Sequence, residues 1–336
     1  MSTRRLVVDP VRPDPASLRI AADVLSSGGL VAFPTETVYG LGALALDEAS
    51  AAKIFAAKGR PATNPLIVHV PDLAAARELA SDWTQAAETL ARAFWPGPLS
   101  LVVAKAACVP DLVTAGGPTT ALRVPAHPTA LALLQTLGRP LAAPSANRSN
   151  AVSPTRGDHV LATLDGRIDL LLDAGPCSGG LESTVVDATE WPPRLLRPGL
   201  ISPAQLSAVL GVEVARGPKS LHGPLASPGM LEKHYSPRAK LEIAPDDGRL
   251  RVAQHLAAGA KVGWITRGET SGRTDDVSPR LYQLDLPAEA AGYAAEIYAA
   301  LHTLDAAGVE RLVVAALPSD DDWLAARDRL TRASAE

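Results

Sequence analysis

The chain has 336 residues, of which 47% are hydrophobic and 20% are charged, and its formal net charge is -4 at pH 7. This composition predicts a folded, soluble protein with more than one domain and excludes a disordered chain. No stretch approaches the ~20 apolar residues of a membrane span. A chain with a net negative charge needs a local basic patch to bind nucleic acid.

The two cysteines, Cys108 and Cys177, are too few for a disulfide framework or a Cys-rich zinc site. The first 15 residues are broken by prolines and lack the apolar run of a signal peptide. Together these features predict a cytoplasmic protein, because free thiols suit a reducing compartment.

Short apolar runs and helical segments alternate through the first 210 residues. The predicted strands are Leu6–Val8 at a sheet edge, Leu30–Phe33, Pro65–Val70, Leu99–Ala104, Ala121–Val124, Leu141–Ala143, Asp169–Asp173, Ser183–Asp187 and Arg194–Arg197. The predicted helices are Pro15–Ser26, a helix capped by Asp47 and followed by Lys58-Gly59-Arg60, Asp72–Ala80, Asp82–Phe94, Pro128–Leu137, one that starts at Ser153-Pro154-Thr155, and Pro203–Leu210.

Residues 211–237 are rich in Gly, Pro and Ser and predict a linker. Beyond them, four apolar runs alternate with helical segments near 247–258, 288–307 and 320–333; the runs are Lys240–Ile243, Lys261–Ile265, Leu281–Leu286 and Arg311–Ala315. That βαβ rhythm predicts a small, mainly parallel sheet flanked by helices. The predicted organisation is therefore a domain over 1–210, a linker over 211–237 and a second α/β domain over 238–336.

Polar side chains gather where the elements of the stretch Gly28–Val70 end. Thr35 and Thr37 follow one strand, Lys58 and Arg60 follow a helix, and Asn64 and His69 bracket the next strand. Loop ends on a rigid scaffold commonly carry binding chemistry, and this set predicts a site for a polar, anionic ligand. Gly-rich nucleotide motifs, paired-Cys or H-E-x-x-H zinc spacing and a G-x-S-x-G elbow are all absent from the sequence.

Each of these residues also has an ordinary structural interpretation. Lys58 and Arg60 could simply oppose the negative end of a helix dipole, or they could clamp phosphates. Thr35 and Thr37 could be turn residues, and His69, between apolar neighbours, could be a satisfied core histidine.

Arg123 is the sharper signal, because it lies between Leu122 and Val124 in an apolar strand and a buried charge needs a partner. That partner could be a structural carboxylate or the carboxylate of an amino-acid ligand. The same pattern of polar groups at strand or helix ends recurs at Ser145 with Asn147, at Ser153, at Glu182-Ser183-Thr184 and at Arg197.

Together, these motifs resemble a known family. The segments PTETVYGLG, Lys58-Gly59-Arg60, NPLIVHV, WPGPLSLVV, ALRVPAHP, APSANRS with SPT, ESTVVD and LLRPG look like the YrdC-like domain, and SPGMLEKHYSP looks like the linker of its long form. That long form is the L-threonylcarbamoyladenylate synthase family. The resemblance implies a mixed, twisted α/β sheet whose helices form a concave pocket, plus a smaller Rossmann-like α/β domain.

The resemblance also implies an activity. The family joins L-threonine, bicarbonate or CO2 and ATP into threonylcarbamoyl-AMP and releases pyrophosphate, so the chain is expected to be a nucleotidyltransferase. Partner proteins then transfer the threonylcarbamoyl group to the adenosine next to the anticodon of tRNA. Mg²⁺ is expected to enter with ATP, held mainly by phosphates and water, with Glu36 and Glu182 as indirect contacts.

Site residues follow by matching the family's motifs to this sequence. Threonine binding is expected at Thr37, His69, Arg123, the backbone of Ala143, and Ser183. ATP binding is expected at Arg60, Asn64, Thr119, Ser145, Ser153, Arg197 and Tyr235, with Lys58 beside the phosphates and Lys58 and Arg60 as the catalytic cations. Tyr235 lies ~40 residues beyond Arg197, so residues 211–237 are expected to fold over the pocket as a lid.

Two other functions compete with this one. The first is a tRNA- or dsRNA-binding module without adenylate synthesis, built on a strip of Lys58, Arg60, Arg148 and Arg156, which the net charge does not favour. The second is carbamoyl transfer in hydrogenase maturation, which uses a similar domain. The chain lacks the Cys-rich zinc spacing and the acylphosphatase-like region expected there.

Overall fold

The computed structural model describes residues 2–217, 235–268 and 278–335. Most of the expected lid, including the SPGMLEKH part of its motif, lies outside these ranges. The chain forms two compact units: Met1–Ser149 with Ser153–Met230, and Asn150–Val152 with Leu231–Glu336. No described helix has both the length and the apolar character needed to cross a bilayer.

The first, N-terminal unit contains an extensive mixed sheet. Its strands are β1 (Arg4–Val7), β2 (Val31–Phe33), β3 (Gly40–Leu44), β4 (Ile67–His69), β5 (Ala80–Asp82), β6 (Leu99–Lys105), β7 (Thr119–Arg123), β8 (Leu141–Ala142), β9 (Leu170–Asp173), β10 (Thr184–Asp187), β11 (Arg194–Arg197) and β12 (Ala215–Arg216). Its helices are α1 (Pro15–Ser26), α2 (Glu48–Lys58), α3 (Leu73–Glu78), α4 (Gln85–Phe94), α5 (Asp111–Thr114), α6 (Pro128–Leu137), α7 (Gly157–Leu164) and α8 (Pro203–Leu210).

Strand order brings distant parts of the sequence side by side. The strands of this sheet run β1-β9-β2-β3-β8-β4-β7-β6-β10-β11-β12, with β5 paired to β6. β4 and β7 are parallel neighbours, and β10 lies parallel to β6. The central strands β4, β7, β6 and β10 therefore carry His69, Arg123, Ser100 and the residues next to Ser183.

Helices α1 and α6 pack against each other on this sheet, where they bury an aliphatic cluster with Phe33. Asp14 caps α1 by accepting from the backbone N–H of Ser17, and Pro15 occupies its first turn. Asp47 caps α2 in the same way, and Gly59 ends that helix with φ 64°, the left-handed conformation that glycine adopts without strain. The predicted bounds of α1, α6 and α8 are confirmed to the residue.

Several predictions about local structure were wrong. No helix begins at Ser153: Pro154 accepts a hydrogen bond from the backbone of Tyr39, and the helix starts at Gly157. The strand β3 was not anticipated, because its sequence GLGAL carries glycines that weaken a strand signal. The strand predicted at Ala121–Val124 begins earlier, because Thr119 is already the first residue of β7. β12 falls within residues 211–237, which composition alone had assigned to a linker.

The second, C-terminal unit has a small parallel sheet, as predicted. Its elements are β13 (Lys240–Ile243), α9 (Arg249–Ala257), β14 (Val262–Arg267), β15 (Leu281–Leu286), α10 (Ala290–Ala306), β16 (Arg311–Val314), a 3₁₀ turn (Asp321–Trp323) and α11 (Leu324–Ser334). The strands pair in the order β13-β16-β14-β15, and every pair is parallel. Trp264 and Val313 lie in its core, with Val252 of α9 packed on them.

Candidate active site

Arg123 on β7 is buried, at 4% exposure, and its Nε and Nη2 atoms are both hydrogen-bonded. Its Nη2 donates to Glu36 Oε1 at 2.6 Å and to Thr37 Oγ1 at 3.0 Å, and its Nε donates to the carbonyl of Gly97 at 3.3 Å. The sequence left open whether Arg123 has a structural carboxylate as its partner, and Glu36 is that partner. No hydrogen bond within the described ranges uses Nη1, and Oε2 of Glu36 is buried without a described partner. The guanidinium thus retains an N–H edge with which to meet a second anion.

The turn after β2 is shaped by its own hydroxyl groups. Thr35 donates to the carbonyl of Val38 at 2.6 Å and accepts from the backbone N–H groups of Thr37 and Val38. The two threonine hydroxyls lie 2.7 Å apart. Thr35 is thus a turn-forming residue, whereas Thr37 faces Arg123.

His69 on β4 lies beside Arg123 in the sheet register. Its Nδ1 is buried and has no described hydrogen-bond partner, which distinguishes it from a satisfied core histidine. Burial, with the Arg123 cation as a second cause, lowers the pKa of His69 to about 3, so the imidazole is neutral at pH 7. A neutral ring with an unmet Nδ1 can exchange a hydrogen bond with a polar ligand.

Lys58, the last residue of α2, reaches across to the loop that follows β8. Its Nζ donates to the carbonyl of Ser145 at 2.6 Å, the carbonyl of Asn147 at 2.5 Å and Asn147 Oδ1 at 3.3 Å. These acceptors are all neutral, and burial followed by the nearby Arg60 cation lowers the pKa of Lys58 well below its usual value. Such an ammonium is more stable once an anion arrives. The contacts across the loop exceed what a simple helix-dipole interaction would require.

Arg60 organises the short loop that follows α2. Its Nε donates to the carbonyl of Asn64 at 3.0 Å, and Nη2 donates to Asn64 Oδ1 at 2.6 Å and the carbonyl of Pro65 at 2.7 Å. Asn64 is 1% exposed, and its Nδ2 has no described partner. An amide donor and two cations therefore lie close together along 58–64, the donor set that phosphate oxygens bind.

The loop after β8 supplies further hydroxyls. Ser145 donates to Asn147 Oδ1 at 2.6 Å, and an isolated bridge to Gly40 ties it to β3. Ser153 is fully buried and donates to Glu182 Oε1 at 2.5 Å. Ala143 is also buried, and its N–H donates to the carbonyl of Ile67, which joins this loop to β4.

Ser183 and Arg197 form a third buried group. Arg197 donates from Nε and Nη2 to the carbonyl of Ser183, and from Nη2 to its Oγ at 3.1 Å. Ser100 on β6 lies 2.8 Å from the same hydroxyl. Sequence reasoning missed Ser100, although a serine within the apolar strand LSLVVAK was the available signal. Gly199 permits this packing, since a Cβ there would lie 2.2 Å from the backbone nitrogen of Thr184.

The N-terminal unit thus brings most of the predicted residues into linked groups. Residues 177–182 contact the group formed by Arg123, Glu36 and Thr37, because the N–H of Gly179 donates to the carbonyl of Glu36 at 2.8 Å. Thr119 is the least integrated member, half-buried at the start of β7. Tyr235 belongs to the C-terminal unit, where its ring stacks on Tyr298 at 5.9 Å and lies 5.1 Å from the Arg329 guanidinium. Its part in the ATP site stays a prediction.

Comparison with protein families divides the chain near residue 200, ahead of the boundary between the two compact units at Met230 and Leu231. Residues 23–199 match the Sua5/YciO/YrdC family model described as "Telomere recombination". Residues 201–335 match the model described as "Threonylcarbamoyl-AMP synthase, C-terminal domain".

Curated and solved relatives extend over nearly the whole chain. Threonylcarbamoyl-AMP synthase of Pyrococcus abyssi is 43% identical over 94% of both chains. The Bacillus subtilis protein of that name is 40% identical over 99% of this chain and 98% of its own. The crystal structure of P. abyssi Sua5 complexed with L-threonine superposes with a TM-score of 0.90 at 39% identity, covering 99% of this chain and 98% of that one.

Proposed function

Because the chain belongs to the family of the threonylcarbamoyl-AMP synthases, we propose that its N-terminal unit joins L-threonine, bicarbonate or CO2 and ATP into threonylcarbamoyl-AMP and releases pyrophosphate. One observation carries the assignment to this site. Two buried cation centres lie in one unit, Arg123 with Thr37 and His69, and Lys58 with Arg60 and Asn64. The reaction needs one such centre for an amino-acid carboxylate and another for phosphates.

The first centre suits L-threonine. Arg123 keeps an N–H edge for the amino-acid carboxylate, while Glu36 fixes the other edge of the guanidinium. The hydroxyl of Thr37, the Nδ1 of His69, the backbone of Ala143 and the hydroxyl of Ser183 are the polar groups that we assign to the rest of the amino acid. Because His69 is neutral, it adds no second positive charge beside Arg123 or the substrate ammonium.

The second centre suits ATP. Lys58 and Arg60 are assigned to the phosphates, with Asn64, Ser145 and Ser153 supplying neutral donors. Arg197, Thr119 and Tyr235 complete the proposed nucleotide contacts. The neutral acceptors around Lys58 position the ammonium without neutralising its charge, so an incoming phosphate is its strongest partner.

The chemistry asks for positioning and charge neutralisation more than for proton transfer. The threonine ammonium first loses one proton to solvent. The free amine nitrogen then forms a bond to the carbon of CO2 while one C–O π bond opens onto its oxygen, and a second proton leaves the nitrogen for solvent, which gives a carbamate. A carbamate oxygen then forms a bond to the α-phosphorus of ATP while the bond from that phosphorus to the β-phosphate oxygen breaks, and pyrophosphate leaves. Fixed cations at both anionic ends hold the reacting atoms together and stabilise the charge that develops.

Mg²⁺ is part of the proposal, as the ion that accompanies ATP. The donor chemistry fits a hard cation, because Glu36 offers a buried carboxylate oxygen without a described partner, and Glu182 is a second carboxylate, three residues after the Gly179 whose N–H contacts Glu36. These carboxylates would hold the ion through water. When bound, it would neutralise phosphate charge.

The product is an activated acyl phosphate that water can hydrolyse. We therefore assign its use to a separate threonylcarbamoyl transferase that modifies the adenosine next to the tRNA anticodon in the cytoplasm. Direct contact between this chain and tRNA would be weak, given the net charge of -4.

The decisive experiment measures pyrophosphate release from ATP with L-threonine, L-serine or no amino acid, each with and without bicarbonate. We expect full activity only with threonine plus bicarbonate. Pyrophosphate release that needs neither would overturn the proposed reaction. Salt-sensitive binding of unmodified tRNA in the absence of any adenylate synthesis would favour the RNA-binding module instead.

A further inference from the structure

A cavity of about 230 Å³ lies within the C-terminal unit, and none of its lining residues is among those assigned above. Its lining comes from the segments that follow three parallel strands: Asp246 and Asp247 after β13, Thr266 and Arg267 at the end of β14, and Ala315 and Ala316 after β16. All three segments are at the carboxyl edge of the sheet, because the strands are parallel.

The connections make this edge a topological switch point. β16 and β14 are neighbours, and the chain leaves β14 towards β15 on one side. It leaves β16 on the other side, towards α11, which packs against β13. Open parallel sheets bind ligands in the crevice outside the carboxyl ends of their strands at such a point.

Arg267 brings a cation to the cavity. Its Nε is buried and has no described hydrogen-bond partner, and its Nη1 makes only a 3.4 Å contact to the carbonyl of Ala288. Within the described residues no carboxylate forms an ion pair with it. Its guanidinium lies 5.1 Å from the ring centroid of Trp323, which fixes one face. The arginine is thus held in place, and its Nε–H remains available to donate to a ligand.

The opposite wall carries two carboxylates on a rigid loop. Oδ1 of Asp246 accepts from the N–H of Gly248, and Oδ1 of Asp247 accepts from the N–H of Arg249. The carbonyls of the two aspartates accept from Ala316 N and Trp264 Nε1, which ties the loop to β16 and β14. Gly248 has φ 81° and lies so near β16 that a Cβ would meet Val313 at 2.7 Å. The loop is therefore preformed.

Strand order separates the two kinds of polar group. β16 lies between β13 and β14, so the aspartates follow one outer strand of this trio and Arg267 ends the other, with the small side chains of Ala315 and Ala316 lining the cavity beside them. A ligand that contacts both the aspartates and Arg267 needs an anionic group at one end and hydrogen-bond donors at the other.

We propose that this cavity binds a small phosphorylated compound with hydroxyl groups, such as a sugar phosphate or nucleoside monophosphate, with its phosphate on Arg267 and its hydroxyls on Asp246 and Asp247. The site is separate from the proposed synthase centre and does not depend on its activity.

The test uses isothermal titration of the full chain with ribose 5-phosphate, AMP or inorganic phosphate. Lys58→Ala with Arg60→Ala serves as the background, so that the N-terminal nucleotide site does not contribute. We expect ribose 5-phosphate or AMP to bind at one site, at least about tenfold more tightly than inorganic phosphate. If only AMP binds, the ligand is a nucleotide. If AMP and ribose 5-phosphate both bind, the site recognises the sugar phosphate that they share.

Variants then assign the bound ligand to the cavity. Arg267→Gln should weaken binding about tenfold or more, and Ala316→Leu should abolish it by filling the space while Arg267 stays intact. Arg251→Gln is the matched control, since Arg251 lies on α9, pairs with Glu242 and does not line the cavity. Unchanged affinity in both cavity variants, no binding of either organic phosphate, or equal affinity for inorganic phosphate would overturn the proposal.

Discussion

Ser100 and Ser183 hold their side-chain oxygens 2.8 Å apart, where β6 meets the start of its parallel neighbour β10, and both residues are buried. Only Ser183 was expected at the site. The pairing makes Ser100 a positioning residue for a hydroxyl that Arg197 also contacts.

We predict that Ser100→Ala raises the KM for L-threonine severalfold with little change in kcat, because Ser183 loses a partner that fixes its rotamer. A net hydrogen bond of this kind contributes about 1 kcal/mol. A double-mutant cycle with Ser183→Ala, read from steady-state KM values, should give a coupling of that order. Additive effects of the two substitutions would contradict the positioning role.

Arg123→Ala should lower kcat/KM for L-threonine about 100-fold or more. It removes the proposed carboxylate contact and leaves Glu36 as a buried charge without its ion-pair partner, and breaking such a pair costs about 3–5 kcal/mol. The measurement is threonine-dependent pyrophosphate release, with Arg92→Ala on the exposed face of α4 as the control.

A folding defect in Arg123→Ala would confuse this result. The double substitution Arg123→Ala with Glu36→Gln removes both charges and should restore the thermal unfolding midpoint without restoring activity. If the double variant recovers threonine-dependent activity, Arg123 does not bind the substrate.

Lys58→Ala should reduce kcat/KM for ATP by about two orders of magnitude, since it removes a buried ammonium whose described acceptors are all neutral and whose charge is left for phosphate. Lys53→Ala on the same helix is the matched control: Lys53 is exposed and donates only to the carbonyl of Gly28. Equal kinetics for the two variants in ATP titrations would favour the helix-dipole interpretation of Lys58.

His69 should make the protein less stable as the pH falls. Its pKa is about 3 when folded and close to 6.5 when unfolded, so between these values the unfolded chain binds a proton that the folded chain does not. Stability contributed by the neutral imidazole is complete above pH 6.5 and declines towards pH 3, by on the order of 1 kcal/mol per pH unit.

Comparison with His69→Gln isolates this effect, because other titrating groups are shared. Urea titrations from pH 7 to pH 4 should show a steeper loss of the free energy of unfolding in the wild type than in the variant. Parallel pH profiles would show that His69 is accessible to protons in the folded state.

Local signals in the sequence determined much of the architecture. Asp47 caps the helix that it was predicted to cap, the bounds of α1, α6 and α8 are as predicted, and the alternating pattern beyond residue 238 correctly indicated a parallel sheet. These features depend on neighbours along the chain, so propensity and periodicity suffice to find them. The motifs likewise identified the family, because their order and spacing are properties of the sequence itself.

Only the tertiary structure decided which groups meet. Glu36 and Arg123 are 87 residues apart, and Ser100 and Ser183 are 83 apart, and no local pattern specifies such pairings. Contacts that bear on the open interpretations also come only from the structure: the Nδ1 of His69 has no described partner, and Lys58 reaches the loop after β8. At Pro154, where a helix was predicted, the carbonyl instead accepts from the backbone N–H of Tyr39. Each outcome depends on strand order, which brings polar groups from distant segments into one buried space where unpaired donors and charges are costly.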